Sequence, residues 1–339
     1  MLVKSEKGGE QTMSTSLQPV PFSQATRLER LDHKTYSVTI SEAFSVGKVS
    51  HGGYVATCIL EAARLHMVAR DQPDPLCAQY SFLDKTTPGP AIILVDETKL
   101  GQRLSILHLA LYQDNLLTEA PWVTERSSRP KLVAYVTCTN IQSQAGLSLP
   151  TGFSLQPSPP PINFDRLLDK GTDGDWCLKP PATPDKPGYR LGHLHNVECY
   201  VPVRGQPSKS TLDAWFRLKS GESFTNSSLA FLADIFGHVP EQYRAKPGQP
   251  PDKASFPSAS FNWYPTLALN LEVKKSLTGT NAEFLQLRVS AKEIKNGRLD
   301  MEVLILDVDG DLVAVANHVT LIVSADRNLA RRSTRVDKL

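Results

Sequence analysis

The sequence predicts an α+β protein made of two copies of one βαββββ unit. In each copy a strand, a helix and four more strands fold so that a curved antiparallel sheet wraps a central helix. Three observations predict this. Residues 52–66 are helical in pattern but apolar on nearly every side, the mark of a helix buried in a core. The same order of elements recurs after residue 189. Short strand segments of the two halves also match in sequence, in the same order.

In the first copy, Thr35-Tyr36-Ser37-Val38-Thr39-Ile40 alternates apolar and polar and reads as a strand. The helix opens at Gly52-Gly53. Val55, Ile59 and Ala62 share one stripe, which Cys58, Ala63 and Leu65 widen, and the helix ends before Asp71-Gln72-Pro73-Asp74-Pro75. Strands follow at 77–83, 91–100, 103–113 and 131–141, with an irregular connection over 114–130. In the second copy, 211–218 is a strand and Thr225-Asn226-Ser227-Ser228 offers helix caps. Leu229 to Phe236 is a second apolar helix, stopped by Gly237 and Pro240. Strands follow at 266–274, 283–293, 298–307 and 312–323, with Asp309-Gly310 as a hairpin turn. The run Arg103-Leu104-Ser105-Ile106-Leu107 parallels Arg298-Leu299-Asp300-Met301-Glu302. Likewise, Leu132-Val133-Ala134 parallels Leu312-Val313-Ala314. An N-terminal domain over 30–141 and a C-terminal domain over 189–325 would therefore pack like a homodimer within one chain. Residues 1–29 are expected to be disordered, 142–188 to form an irregular proline-rich surface linker, and 326–339 to be a frayed basic tail.

Composition removes several classes of function. The net charge is +2, which argues against a nucleic-acid partner. No apolar run is long enough to span a bilayer, and residues 1–24 lack the apolar core of a secretory signal. Cys58, Cys77, Cys138, Cys177 and Cys199 are odd in number and contain no CxxC pair, so reduced thiols in a cytoplasmic protein are expected. The ending Asp337-Lys338-Leu339 is only a weak peroxisomal address, because an acid replaces the small residue of Ser-Lys-Leu. His193 and His195, with scattered acids, lack metal-ligand spacing and read as surface residues. No metal and no cofactor are expected.

Few residues stand out chemically. Gly52 and Gly53 leave the start of a buried helix bare. The free N–H groups there, at the positive end of the helix dipole, suit a carbonyl oxygen that is gaining negative charge. Asp234 lies among Leu232, Ala233, Ile235 and Phe236; a carboxylate on so apolar a helix needs a partner, or a task. It reads as either a catalytic acid or half of a structural ion pair. Thr266 follows Pro265 at a strand start, and His318 lies in the final strand. His51 reads as a brace for its turn and His238 as a helix-end residue. Glu61 reads as either a substitute acid in the first half or an ordinary surface glutamate of the helix.

Taken together, His51-Gly52-Gly53-Tyr54, Asp213-Ala214-Trp215-Phe216-Arg217, Leu229-Ala230-Phe231-Leu232-Ala233-Asp234, Trp263-Tyr264-Pro265-Thr266-Leu267 and Leu312-Val313-Ala314 resemble the thioesterase-like branch common in fungi. That branch is related to acyl-CoA thioesterase II and has the double hotdog fold. The resemblance implies a water held by an Asp, a Thr and a Gln. Asp234 and Thr266 match the first two; His318 stands where the Gln would be. For hydrolysis, substrate contacts are expected at Gly52, Gly53, Tyr54 and Ser228, with backbone N–H groups near Gly52, Gly53 or Ser228 holding the thioester oxygen. The implied activity is hydrolysis of an acyl thioester carried by CoA or by an acyl carrier protein, including polyketide acyl groups, in a chain that could form homo-oligomers. Two alternatives remain: a dehydratase, isomerase or cyclase using the same pocket, and a non-catalytic acyl-binding protein.

Overall fold

The computed structural model describes residues 18–124, 126–180, 191–235 and 239–325. The first half contains α1 (Phe22–Ala25), β1 (Leu28–Arg30), β2 (Thr35–Ile40), a small hairpin of β3 (Ser45–Val46) and β4 (Val49–Ser50), and the long helix α2 (Gly52–Met67). Then come β5 (Asp74–Phe82), β6 (Gly89–Lys99), β7 (Ser105–Gln113) and β8 (Arg129–Thr139). The connection carries α3 (Phe164–Lys170) and β9 (Trp176–Leu178). The second half contains α4 (Gly192–His195), β10 (Val197–Pro202), β11 (Thr211–Leu218), α5 (Leu229–Ile235), β12 (Asn262–Trp263) and β13 (Thr266–Val273). It closes with β14 (Leu285–Ser290), β15 (Ile294–Lys295), β16 (Arg298–Leu306), β17 (Leu312–Leu321) and β18 (Val323–Ser324).

One antiparallel sheet of fourteen strands runs through both halves. Its order is β2-β6-β7-β8-β5 in the first half, and the same sequence of positions, β11-β14-β16-β17-β13, in the second. The halves join edge to edge where β5 pairs with β13, with Gln79 opposite Asn270 and Tyr80 opposite Leu269. That pairing covers two edges that would otherwise be exposed. Helix α2 packs on β5 to β8, α5 packs on β16 and β17, and the two helices pack on each other. One apolar core spans both halves. This is the arrangement expected of a double hotdog.

The helices form for legible reasons. His51 caps α2, its Nδ1 accepting from the N–H of Tyr54 at 3.3 Å, and eleven of the sixteen residues are buried. Ser228 closes the turn before α5: its hydroxyl donates to the Thr225 carbonyl and accepts from the Thr225 N–H. Gly53 permits the crossing of the two helices. A Cβ there would lie 2.6 Å from both the Ala230 carbonyl oxygen and the Cβ of Asp234.

Two expectations require correction. The ordered chain starts earlier than residue 30: Phe22 packs edge-on to Phe44 at 5.3 Å and tilted against Phe231 at 4.9 Å. The N–H groups of Phe22 and Ser23 donate to the carboxylate of Glu222. The expected disorder of residues 1–17 falls outside the described residues. The proline-rich connection is also more than an irregular linker. Asn163 caps α3, Gly171 stops it in a left-handed turn, and β9 adds a strand beside β10. Trp176 is fully buried with Leu167, Tyr200, Trp215 and Phe284 in a second apolar cluster. Sparse apolar residues hid this, because two of them, Leu167 and Trp176, each bury completely. Residues 181–190 and the expected tail 326–339 lie outside the described residues, as do Gly237 and His238.

Candidate active site

Asp234 comes from the end of α5 and meets the start of α2. Its Oδ2 accepts from the Gly53 N–H at 2.7 Å, and its Oδ1 accepts from the Thr266 hydroxyl at 2.9 Å. One donor belongs to each half of the chain. The side chain is 9% exposed, so the carboxylate is nearly enclosed but reachable. The close crossing at Gly53 brings the acid this near to a backbone N–H at a helix N-terminus, where dipole and N–H both favour an anion.

Two histidines flank this acid, and a third stacks on one of them. His51 Nε2 lies 3.2 Å from the Asp234 backbone oxygen and 3.7 Å from its Oδ2. With Nδ1 accepting from Tyr54, the ring hydrogen belongs on Nε2, which donates to the Asp234 carbonyl. Burial pushes the pKa of His51 below its ordinary value, against the pull of the Asp234 charge. His193 stacks on His51 with ring centroids 4.5 Å apart and is buried, so the expectation of a surface position was wrong. It sits on α4, a short helix packed against the loop before β3. His318 Nδ1 lies 3.6 Å from Asp234 Oδ1, and its side chain is wholly buried. Burial also pushes its pKa down, again opposed by Asp234. The Ala233 backbone adds to the pull of Asp234 on a ring proton of His318.

A cavity of about 500 Å³ opens beside Asp234. His51, Gly52, Asp234 and Thr266 line its inner end, and Phe82, Trp263 and Tyr264 supply aromatic walls. Lys85 lies over the Trp263 ring at 5.1 Å, and the Tyr264 hydroxyl donates to Glu241. Burial and the neighbouring Glu241 push the Tyr264 phenol up, so it stays a neutral donor.

The structure thus brings Asp234, Thr266 and His318 together, but His318 stands behind the carboxylate and is not part of the cavity wall. Of the expected substrate contacts, only Gly52 lines the cavity. The Gly53 N–H is taken by Asp234. Tyr54 is a core residue; its hydroxyl donates to the Ala25 carbonyl at 2.6 Å and accepts from the Ser41 N–H. Ser228 is buried in its capping turn. Tyr54 and Ser228 thus sit in the core and in a turn, away from the cavity lining.

At the mirror position in the other half, buried side chains bond to one another. There Asn226, before α5, donates to Asp74 at 2.8 Å and accepts from the Leu277 N–H at 2.8 Å. The second oxygen of Asp74 accepts from the Ile141 N–H at 2.9 Å. Both side chains are buried and mutually satisfied. Glu61 pairs with Arg64 at 2.9 Å and is not among the residues that line the cavity.

Among the described residues, no group of acids, histidines and cysteines is arranged to hold a metal ion, and no helix is long and apolar enough to cross a membrane.

Comparison with known proteins points the same way. The family model described as the acyl-CoA thioesterase N-terminal domain matches residues 40–139, and the acyl-CoA thioesterase C-terminal domain matches residues 175–322. The chain is 37% identical over 331 residues to the thioesterase-like protein TwmA of Talaromyces wortmannii, covering 92% of this chain and 94% of that protein. It is 32% identical over 124 residues to the ustilagic acid biosynthesis cluster protein orf2 of Mycosarcoma maydis, covering 30% of this chain and 32% of that protein. Acyl-CoA thioesterase II TesB2 of Mycobacterium marinum superposes with a TM-score of 0.57 at 17% identity, covering 89% of this chain and 97% of its own. A protein with the hot dog fold from Alicyclobacillus acidocaldarius gives 0.64 at 15% identity, covering 89% and 98%. At these identities the two structures speak for the fold alone.

Proposed function

The chain belongs to the acyl-CoA thioesterase family and is a thioester hydrolase, and on that premise we propose that its one working site is the cavity at Asp234, with the carboxylate as general base. The observation that carries this reading is the orientation of Asp234 by two donors, Gly53 N–H and Thr266 hydroxyl, at the wall of a cavity shared by both halves.

In this reading the acyl group lies along Phe82, Trp263 and Tyr264, with its thioester carbonyl near Gly52. Asp234 takes a proton from water as the water oxygen bonds to the carbonyl carbon. The Gly52 N–H, at the start of α2 and without a helical partner, offers a donor to the developing oxyanion. Collapse breaks the C–S bond, and the proton on Asp234 passes to the thiolate sulfur. The products are a carboxylic acid and a free thiol. Positioning within a nearly enclosed site supplies much of the rate.

The cavity's aromatic wall and the naming of one relative for a biosynthesis cluster support an acyl group from secondary metabolism, polyketides included, on CoA or on a carrier protein. Dehydration or isomerisation would need a further acid–base group facing the acyl chain. Both nitrogens of His51 are already committed, to Tyr54 and to the Asp234 carbonyl, so that group would have to be another lining residue such as His193 or Tyr264. The test is thiol release from decanoyl-CoA, benzoyl-CoA, 3-hydroxybutyryl-CoA and the matching phosphopantetheine thioesters. Turnover of at least one, abolished in Asp234→Asn, supports the reading; release of no thiol from any of them overturns it.

A further inference from the structure

We propose that Thr320 is a catalytic residue of the thioester hydrolysis, its hydroxyl holding the attacking water against Asp234. The proposal rests on the hydrolase reading of the same site.

The placement follows from the ladder between β13 and β17. Thr320 is the direct partner of Thr266 in that ladder. Directly opposed residues of an antiparallel pair face the same side with Cβ atoms roughly 4.5–5.5 Å apart. Thr266 donates to Asp234, so Thr320 stands beside the residue that orients the base. Strand alternation puts His318 and Thr320 on one face, but they end in different places. The His318 side chain is wholly buried and lies behind the carboxylate, whereas Thr320 lines the cavity.

Hydrogen bonding separates the two threonines. The Thr266 hydroxyl is committed to the carboxylate. The Thr320 hydroxyl is buried, with the residue only 1% exposed, and has no hydrogen-bond partner among the described residues. Buried hydroxyls are nearly always partnered. One left open on a cavity wall, next to a base, is placed to meet what enters the cavity. A water there can give one hydrogen to Asp234 and the other to the Thr320 oxygen. Both hydrogens are then fixed and a lone pair faces the thioester carbon. Thr320 gains and loses no proton over the cycle; the proton that Asp234 takes leaves on the thiol.

The test compares Thr320→Val, which keeps the shape and removes the hydroxyl, with Thr320→Ser, which keeps the hydroxyl. Both are measured as full-length chains on the thioester the wild type turns over fastest. Thr320→Val should lower kcat about 10²-fold, the scale of a misplaced reactant, with KM within about 3-fold because the acyl contacts remain. Thr320→Ser should recover most of that loss. Should Thr320→Val fail to fold, Thr320→Ala against Thr320→Ser makes the same comparison. Unchanged kcat in the Val or Ala variant overturns the proposal. So does an equal loss in the Ser variant, which would mean methyl packing, or a loss carried by KM alone, which would mean acyl binding. These results leave the hydrolase reading standing as long as Asp234→Asn is inactive. A wild type that turns over no thioester overturns both.

Discussion

Asp234 is held by contacts that leave little room for change. A Cβ on Gly53 would press on the Ala230 carbonyl and on Asp234 itself at 2.6 Å. Gly53→Ala should therefore destabilise by about 1–3 kcal/mol, the usual range for overpacking, and should lower kcat more than its effect on stability explains. Thermal melts and kcat on the same preparation check this; wild-type values of both would show that the helix crossing is slack. The buried histidines predict a pH dependence. His51 and His318 have folded pKa values lowered from 6.5 by burial. Below pH 6.5 the unfolded chain binds protons at these residues that the folded chain does not, so stability falls as pH falls through 6.5 towards the lowered values. His318→Gln removes one of these groups. Its melting temperature should fall less steeply between pH 7.5 and pH 5 than that of the wild type; an equal or steeper fall would show that His318 does not stay neutral. Asp234 and Thr266 were legible because an acid on an apolar helix and a Thr at a strand start could be tied to a family motif. Thr320 was not legible, since a Thr two places after a His in a strand looks like ordinary strand composition until the register sets it opposite Thr266.

Among the elements, the connection between the halves departs furthest from the sequence reading. Prolines and few apolar residues suggested an irregular strap, but Trp176 anchors it under an aromatic cluster and Arg288 ties it down. The Arg288 guanidinium pairs with Asp213 at 2.7 Å and also donates to the Pro157 carbonyl at 2.8 Å. Composition cannot show such ties, because the partners are far apart in sequence and one of them is a backbone carbonyl. Trp176→Ala should cost about 3–5 kcal/mol, the range for deleting a large buried aromatic. Urea unfolding measures it, and a loss under 1 kcal/mol would return the connection to the status of a loose linker. Helix α2 was legible almost to the residue, since its apolar pattern, glycine start and capping His51 agree.

At the scale of the whole molecule, the duplication was legible because matched strand pairs followed matched helices. The topology bears this out, with the same strand order in each half and one junction at β5 and β13. The asymmetry of the duplication was only half legible. Asp234 could be read in the second half, but the bonding of Asn226 to Asp74 at the mirror position depends on a contact across 152 residues of chain. This asymmetry supports the proposal of one working site per chain. The most direct test measures kcat for Asp234→Asn and Asp74→Asn side by side, at saturating thioester and per folded molecule. Asp234→Asn should lose roughly 10²–10⁴-fold, the range for a missing general base, while Asp74→Asn keeps wild-type kcat at a lower melting temperature. Full turnover by Asp234→Asn, or an equal loss in both variants, would contradict a single site built on Asp234.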